Sequence, residues 1–421
     1  MYIDHLKNII KRNKVIYNFT KKIFNKITKK YSIEIPEITM INIRIDKKLY
    51  KRKRLNLLIP SLNKQDIFGG IGTALDFFLY LCNKIDADYR IIVTDTFIDK
   101  KNYLNIDGYK IVKWDEDSSL KNQIIELNDR KRRTLSIGEN DIFIATAWWT
   151  AYIIFSVIQL QQKTFNSYQY PMIYIIQDYE PGFYPWSSRY IMAESTYRAN
   201  IRTIAIFNSQ LLYNFFKEKR YSFEQEYYFD PVLNKKLRES LLTVKDSKRN
   251  KQVLIYGRPS SPRNALELIV ASLRLWTAQQ QDIQEWKIYS IGESYMDIAL
   301  SNGAILKSLG KLTLDEYSLL LSKTYMGISL MVSPHPSYPP LEMSTFGVRT
   351  ITNHYANKDL SDFNENIISL DNINEQNIAD TLIKLASEYP HGNNISINKN
   401  YVECSENIFA GICEKIIQNY N

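Results

Sequence analysis

The sequence is poor in cysteine, glycine and long apolar runs, and each scarcity narrows the class of protein. Its three cysteines, Cys82, Cys404 and Cys413, lack metal-ligand spacing, which argues against a disulfide framework and favours a reducing cytosol. With 14 glycines, 13 prolines and 45% hydrophobic residues in 421 positions, the composition is that of a folded globular chain. Because no run of about 18 apolar residues occurs and the N-terminus has no uninterrupted apolar segment, neither a membrane-spanning helix nor a secretory signal is expected.

Positive charge is concentrated at the start of the chain. Residues 1–54 hold 16 Lys and Arg against four Asp and Glu, a charge of +12 within a total of +9. Isoleucines and phenylalanines recur at helical spacing through residues 1–32 with lysines between them, which predicts a basic amphipathic helix. Such a helix lies on an anionic membrane or packs on protein, a second copy in a homodimer included. We therefore expect a cytoplasmic protein in peripheral contact with the inner face of the cytoplasmic membrane through residues 1–54, and no nucleic-acid partner.

Two runs of alternating strand and helix patterns follow, separated by the polar stretch 224–251. Near-continuous apolar strands between helices are typical of parallel sheets covered on both faces. The predicted strands are 55–59, 90–94, 110–114, 141–145, 173–177, 203–207, 253–256, 286–291, 305–309, 327–332, 348–352 and 367–370. The predicted helices are 73–83, 149–162, 262–279, 314–323, 374–388 and 405–419.

The predicted architecture is α/β, with two Rossmann-like domains and a cleft between them. Its divisions are an N-terminal extension at 1–34, a first domain at 35–240, a second domain at 241–402, and a helix at 403–421 that crosses back to pack on the first domain. Ligands of such sheets bind beyond the carboxyl ends of the strands. The loops that follow the strands are therefore the places to search for a site.

The first such loop contains Gly69, Gly70 and Gly72 before a predicted helix. Glycine lets the backbone approach a ligand closely, and the N-terminus of a helix offers N–H groups to an anion. As a dinucleotide fingerprint the motif lacks its third glycine, since position 75 is leucine, and it lies too far after the strand. An NAD-dependent oxidoreductase remains an alternative function at this point.

The second half of the chain places basic residues after two predicted strands. Gly257 and Arg258 end one strand, and Arg263 follows Ser261-Pro262, which is suited to begin a helix. Lys311 follows another strand of the same predicted sheet. Guanidinium and ammonium groups beside a helix N-terminus suit a diphosphate.

A proline-rich loop completes the candidate site. It runs from Ser333 to Glu342, with Pro340 suited to begin a helix and Glu342 then expected in its first turn. Glu342 either complements the helix dipole or accepts hydroxyl groups of a sugar. His335, in the same loop, is more typical of a histidine with a structural partner.

These motifs, in this order, resemble the retaining GT-B glycosyltransferases of family four over about residues 55–400. The shared features are Gly69-Gly70, Gly257-Arg258 and Pro340-Leu341-Glu342. The segments 176–181, 207–210 and 333–342 are most similar to the WsaF-type rhamnosyltransferases. The resemblance implies a GT-B fold with an acceptor-side first domain and a nucleotide-sugar-binding second domain. It also implies dTDP-rhamnose as donor, no metal or other cofactor, and a growing cell-surface polysaccharide or lipid-linked glycan as acceptor.

The resemblance also implies roles for individual residues. Arg258 and Lys311 would hold the diphosphate and help it depart, and Glu342 would bind the ribose. Asp178, after a strand of the first domain, would face the transferred sugar or the acceptor hydroxyl. The predicted donor site is completed by Gly69, Gly70, Gly72, Gly257, Arg263, Tyr338 and Pro339.

The sequence also departs from family four in two places. Pro334 stands where a second glutamate is usual, and Arg263 is the candidate substitute for the lysine that usually follows the Gly-Arg pair. A metal-dependent GT-A transferase would instead use an Asp-x-Asp motif, for which 86–88 and 115–117 are candidates.

Overall fold

The computed structural model describes residues 34–45, 52–64, 66–67, 69–114, 120–166, 170–243, 249–390, 395–403 and 407–420. The predicted helix at 1–32, Lys47, Lys48, Lys51, the 115–117 motif and Cys404 lie outside the described residues. Within the segment that ends at Thr39, the described residues contain a 3₁₀ turn at Pro36–Ile38. The unit formed by residues 40–421 carries all the elements below.

The first half of this unit is built on eight parallel strands in the order β10-β9-β8-β7-β2-β3-β5-β4. Two further strands, β1 and β6, form a separate parallel pair. The strands are β1 (Asn42–Ile45), β2 (Arg54–Ile59), β3 (Asp88–Val93), β4 (Lys110–Val112), β5 (Asn122–Glu126), β6 (Thr134–Ile137), β7 (Asp141–Ala145), β8 (Met172–Ile176), β9 (Thr203–Phe207) and β10 (Gln225–Tyr228). The helices between them are α1 (Gly69–Cys82), α2 (Trp148–Phe165), α3 (Ser188–Thr196) and α4 (Gln210–Glu218).

Alternation along the strands gives this sheet two apolar faces. Leu57 and Ile59 of β2 belong to the core that includes α1, whereas Leu58 belongs to the core that includes α2 and α4. Because successive side chains of a strand point to opposite faces, a continuous apolar strand requires helices on both sides. The helices supply that cover.

The second half has a seven-stranded sheet in the order β13-β14-β12-β11-β15-β16-β17, parallel except for the β13–β14 pair. Its strands are β11 (Asn250–Gly257), β12 (Lys287–Gly292), β13 (Ile298–Ala299), β14 (Ile305–Gly310), β15 (Thr324–Ile328), β16 (Arg349–Asn353) and β17 (Ile367–Leu370). The helices are α5 (Lys235–Thr243), α6 (Leu266–Gln279), α7 (Leu314–Lys323), α8 (Tyr338–Thr345), α9 (Glu375–Ser387), α10 (Lys399–Val402) and α11 (Ala410–Ile417). The expected capping box opens α7, where the Thr313 hydroxyl accepts the Glu316 N–H and the Glu316 carboxylate accepts the Thr313 N–H.

Helices at both chain crossings tie the two sheets together. Leu237 and Leu241 of α5 pack in a core of the second domain, so the predicted limit at 240 falls inside a helix that packs with that domain. The last helix, α11, crosses back: Ile416 and Tyr420 lie in the core of the first sheet. The Tyr420 hydroxyl donates a hydrogen bond of 2.9 Å to the carbonyl of Pro171. The C-terminal segment therefore completes the core of the first domain.

Several element limits differ from the sequence prediction for physical reasons. The strand predicted at 327–332 ends at Ile328, because Leu330 and Met331 are buried in a loop rather than in the sheet. The more polar strands β5 and β10 have no clear apolar alternation and were not predicted. None of the described helices is both long enough and apolar enough to cross a bilayer.

Candidate functional site

The carboxyl edge of the second sheet carries the predicted basic residues. Gly257 at the end of β11 is paired with Gly292 of β12, and Ile291 of β12 is paired with Gly310 of β14. Arg258 and Lys311 therefore leave the same edge, two strands apart. Neighbouring strands lie about 4.8 Å apart, so the two backbones separate by roughly 10 Å. Long side chains on such backbones can bracket a diphosphate between them.

Tyr256 connects Arg258 to Glu342. The Arg258 guanidinium and the Glu342 carboxylate both interact electrostatically with its phenol. Burial raises the pKa of Tyr256, with Arg258 opposing the rise. The structure thus brings the predicted diphosphate ligand and the predicted ribose ligand to one cluster.

Glu342 is placed differently from the sequence prediction. The helix α8 begins at Tyr338, with Pro339 and Pro340 in its first turn, so Glu342 lies in the second turn and does not complement the helix N-terminus. Burial raises the pKa of Glu342 to about 7, and the neighbouring Tyr317 side chain opposes the rise. The Glu342 carboxyl is therefore close to half ionised at neutral pH.

Position 257 favours glycine because a side chain there would contact its neighbours too closely. A Cβ there would lie 2.4 Å from Oγ of Ser290 and 2.9 Å from the hydroxyl of Tyr295. Any larger residue would have to move the Ser290 and Tyr295 side chains, which pack against the backbone just before Arg258. The glycine thus leaves room for these side chains beside the predicted diphosphate position.

The predicted helix start at Pro262 is wrong. Pro262–Asn264 form a 3₁₀ turn, Ala265 takes a left-handed conformation with φ of 49°, and α6 begins at Leu266. The Ser261 side chain makes no cap hydrogen bond. The helix N-terminus expected beside Arg258 therefore begins four residues later, after a break in the backbone.

The Arg263 side chain contacts the first domain. Its Nε lies 3.5 Å from Oδ2 of Asp178, and its guanidinium carbon lies 4.3 Å from the centre of the Phe183 ring. Phe183 ends a 3₁₀ turn at Glu180–Phe183, which follows Asp178. Arg263 thus links the two domains.

The glycines of the first domain form the first turn of a helix rather than a loop. The helix α1 begins at Gly69. A Cβ on Gly70 would lie 1.8 Å from Oε1 of Gln177, and one on Gly69 would lie 3.4 Å from the Tyr338 ring of the second domain. Around Gly72 the nearest atom, from Ile67, is 4.0 Å away. The N-terminus of α1 therefore faces the N-terminus of α8 across the domain boundary. There Gly69 contacts the Tyr338 ring, whereas Gly70 contacts Gln177 of the first domain.

Asp178 is buried where the two domains meet. Ser333 of the second domain donates a hydrogen bond to its Oδ1, which also accepts the Tyr179 N–H at 2.8 Å. The second carboxylate oxygen faces Arg263. Asp178 lies where the sequence predicted it, at the carboxyl end of β8, but both of its oxygens have protein partners.

Two further titratable groups surround Asp178. Lys358, which sequence reasoning missed, is fully buried, and its ammonium donates a 2.5 Å hydrogen bond to the carbonyl of Met331. Burial lowers the pKa of Lys358 to about 7, and the charge of Asp178 opposes this. Burial also lowers the pKa of His335 to about 4, again opposed by Asp178. No sequence motif indicates Lys358, because a single lysine after a strand is typical of a solvent-exposed side chain.

The remaining acidic candidates lie elsewhere. Asp88 is the first residue of β3, and Asp86 is 2.7 Å from Arg52, so both are at the amino edge of the first sheet. Among the described residues, no group of three or more histidine, cysteine, aspartate and glutamate side chains is arranged to hold a metal ion.

Comparison with known proteins defines the class of fold. Sucrose-phosphate synthase from Thermosynechococcus elongatus aligns over 88% of this chain and 98% of its own, with a TM-score of 0.54 at 11% identity. The two Rossmann-like domains, the opposed carboxyl edges and the returning C-terminal helix are those of a GT-B fold.

Family models identify the family within that class. The model of the WsaF N-terminal domain matches residues 54–210, and the model of the WsaF C-terminal domain matches residues 251–383. The chain belongs to the WsaF family. It is also 28% identical over 213 residues to the O-antigen biosynthesis protein RfbC of Myxococcus xanthus, a match that spans 51% of this chain and 15% of that protein.

Proposed function

We propose that this chain is a glycosyltransferase of cell-envelope polysaccharide biosynthesis that uses a nucleotide-diphosphate sugar. The carrying observation is the cluster in which Tyr256 joins Arg258 to Glu342, at the same sheet edge as Lys311. Cations beside a carboxylate suit a diphosphate next to a ribose. The similarity to a protein named for O-antigen biosynthesis supports the polysaccharide part of the proposal.

The proposed reaction depends on stabilising a leaving group. The bond between the anomeric carbon and the diphosphate oxygen breaks, and the acceptor oxygen bonds to that carbon. The acceptor proton goes to the departing diphosphate. Arg258 and Lys311 act on the charge that develops there, and fixed charges of this kind are often the largest single contribution to catalysis.

The finer assignments extend the resemblance to the WsaF-type enzymes. We propose dTDP-rhamnose as donor, retention at the anomeric carbon, no metal requirement, and a growing or lipid-linked glycan as acceptor. Asp178 is proposed to act beside the transferred sugar, where the two domains meet. The chain's Pro334 leaves that region without the second glutamate of family four.

A panel of nucleotide sugars tests the donor. We expect dTDP-rhamnose, and dTDP alone, to raise the melting temperature more than uridine or guanosine counterparts, because a ligand that binds only the folded state stabilises it. Transfer to a rhamnose oligosaccharide with EDTA present checks the metal independence. Stabilisation by NAD alone would instead favour the oxidoreductase.

The ionisation of Glu342 gives a pH-dependent test of its role. Below pH 7 its carboxyl is mostly protonated, and above pH 7 it is the stronger acceptor for the 3′-hydroxyl of the deoxyribose. We expect dTDP affinity to rise several-fold from pH 6 to pH 8 in the wild type and to rise less in Glu342→Gln. Titration calorimetry measures both, and the titration of dTDP itself is common to the two proteins. The control Glu375→Gln, at an exposed position, should follow the wild-type pH profile. If Glu342→Gln also follows that profile, the assignment of Glu342 to the donor site is contradicted.

We also propose peripheral membrane contact through residues 1–54, because the charge of this segment, +12, suits anionic lipid. Sedimentation with anionic vesicles at low and high salt tests it. Release of the protein at high salt is expected, since exposed charges are screened. A homodimer through the same segment would appear as a doubled mass in the absence of lipid.

A further inference from the structure

Trp186 is an exposed aromatic side chain with a defined orientation. It is 93% exposed, and its ring lies parallel to that of Tyr190, with an angle of 8° and 5.9 Å between the ring centres. The turn between them is fixed by Ser187, whose hydroxyl accepts the Tyr190 N–H at 3.3 Å at the start of α3. The half-buried Tyr190 ring therefore supports the exposed Trp186 ring in a preorganised stacked pair, named here the aromatic platform.

The aromatic platform lies next to the place where the domains meet. The Tyr190 hydroxyl is 3.3 Å from that of Tyr179, which directly follows Asp178 in the chain. Tyr355 of the second domain interacts electrostatically with both Tyr190 and Asp178. A ligand on the platform would thus lie near the interdomain site.

The exposure of Trp186 is better explained by binding of a ligand than by packing within the protein. Large aromatic side chains are usually covered in a folded protein, and exposed apolar patches often mark binding grooves. The face of an aromatic ring carries partial negative charge, which suits the weakly positive C–H groups on one face of a pyranose ring. Two parallel rings offer that contact without any charge.

We propose that Trp186 and Tyr190 bind a pyranose ring of the acceptor glycan, one or more residues away from the sugar that is extended. This inference rests on the proposed function, because it treats the first domain as the acceptor side. The platform would act on acceptor affinity and on the position of the glycan chain. It would leave the donor site of the second domain unchanged.

The alternative occupant is a lipid surface. Ile191, 66% exposed, lies on the same helix, and tryptophan is common at membrane interfaces. The observations favour the glycan, because Tyr190 connects the platform to Asp178 through Tyr179. The lipid is therefore an outcome of the test.

Steady-state transfer with a rhamnose trisaccharide as acceptor tests the proposal in the full chain. We expect Trp186→Ala to raise the acceptor KM about 10-fold or more, as expected for the loss of roughly 1.4 kcal/mol of stacking. Donor KM, dTDP binding and the melting temperature should stay at wild-type values. Trp186→Phe should recover much of the loss because a ring remains. The control Leu242→Ala removes another exposed apolar side chain, 74% exposed on α5, and should change nothing.

The outcomes separate the platform from the proposed function. Wild-type acceptor KM in Trp186→Ala, with dTDP binding intact, overturns the platform and leaves the transferase. Loss of binding to phosphatidylglycerol vesicles with an unchanged trisaccharide KM also overturns it in favour of the lipid. Failure of the wild type to bind dTDP overturns the proposed function first.

Discussion

Replacing Arg258 with alanine is expected to lower kcat/KM for sugar transfer by about 100- to 1000-fold, the loss typical of one preorganised donor to a developing charge. The side chain is half-buried at the sheet edge and acts with Tyr256. The exposed Lys311 should contribute less, about 10- to 100-fold, because its ammonium makes a single charge-assisted contact of roughly 1.5–3 kcal/mol. Both variants should fold, since neither side chain lies in an apolar core.

Matched controls are available in the same domain. Lys307 is exposed on β14, the strand that ends before Lys311, and Arg274 is exposed on α6. Lys307→Ala and Arg274→Ala should retain wild-type transfer. Calorimetry with dTDP should show the same order as the kinetics. Turnover in Arg258→Ala and Lys311→Ala equal to that of the controls would remove the proposed diphosphate site.

The two cations could be predicted from the sequence because a general rule selects them. Arg258 and Lys311 follow apolar strands, and parallel strands all end at one edge of their sheet. Their convergence needed only the order β14-β12-β11, which brings the strand ends into register. Tyr256, which connects Arg258 to Glu342, is the penultimate residue of a strand and carries no such signal.

The backbone conformation near the site could not be predicted from the sequence pattern. Ser261-Pro262 is a favourable start for a helix, yet the left-handed conformation of Ala265 delays α6 to Leu266. In the turn that results, the Arg263 side chain contacts Asp178 and Phe183. Tertiary contacts between domains here outweigh local helix preference.

The buried charges at the domain boundary could not be predicted from the sequence either. Lys358 lies in a short bridge with Tyr355, where each backbone N–H donates to the other residue's carbonyl, at 2.8 Å and 3.1 Å. That bridge places the ammonium against Met331 and near Asp178. Only the folded arrangement shows that this lysine is buried beside a carboxylate.

Asp178→Asn should destabilise the fold most at acidic pH. The pKa of Lys358 is lowered to about 7 in the folded state, so the folded chain binds fewer protons than the unfolded chain above that pH and stability rises toward pH 10. The charge of Asp178 raises the pKa of Lys358, so removing that charge lowers the pKa of Lys358 further. The increase of stability with pH then begins below pH 7. Arg263 loses its counter-charge at every pH. Removing one partner of a buried ion pair typically costs about 3–5 kcal/mol, so we expect a loss of that order at pH 6 and a smaller one at pH 9.

Glu180→Gln is the matched control for this effect, because the same cluster holds a second buried carboxyl with the opposite pH behaviour. Burial raises the pKa of Glu180 to about 8, where it accepts a 2.7 Å hydrogen bond from the Tyr174 hydroxyl. It is therefore mostly neutral at pH 6, and glutamine should be tolerated there and become relatively stabilising at pH 9. Urea unfolding at the two pH values measures both variants. A loss of stability in Asp178→Asn that does not depend on pH would show that Lys358 is not coupled to Asp178. The kcat of the folded variant tests separately the role proposed for Asp178 beside the transferred sugar.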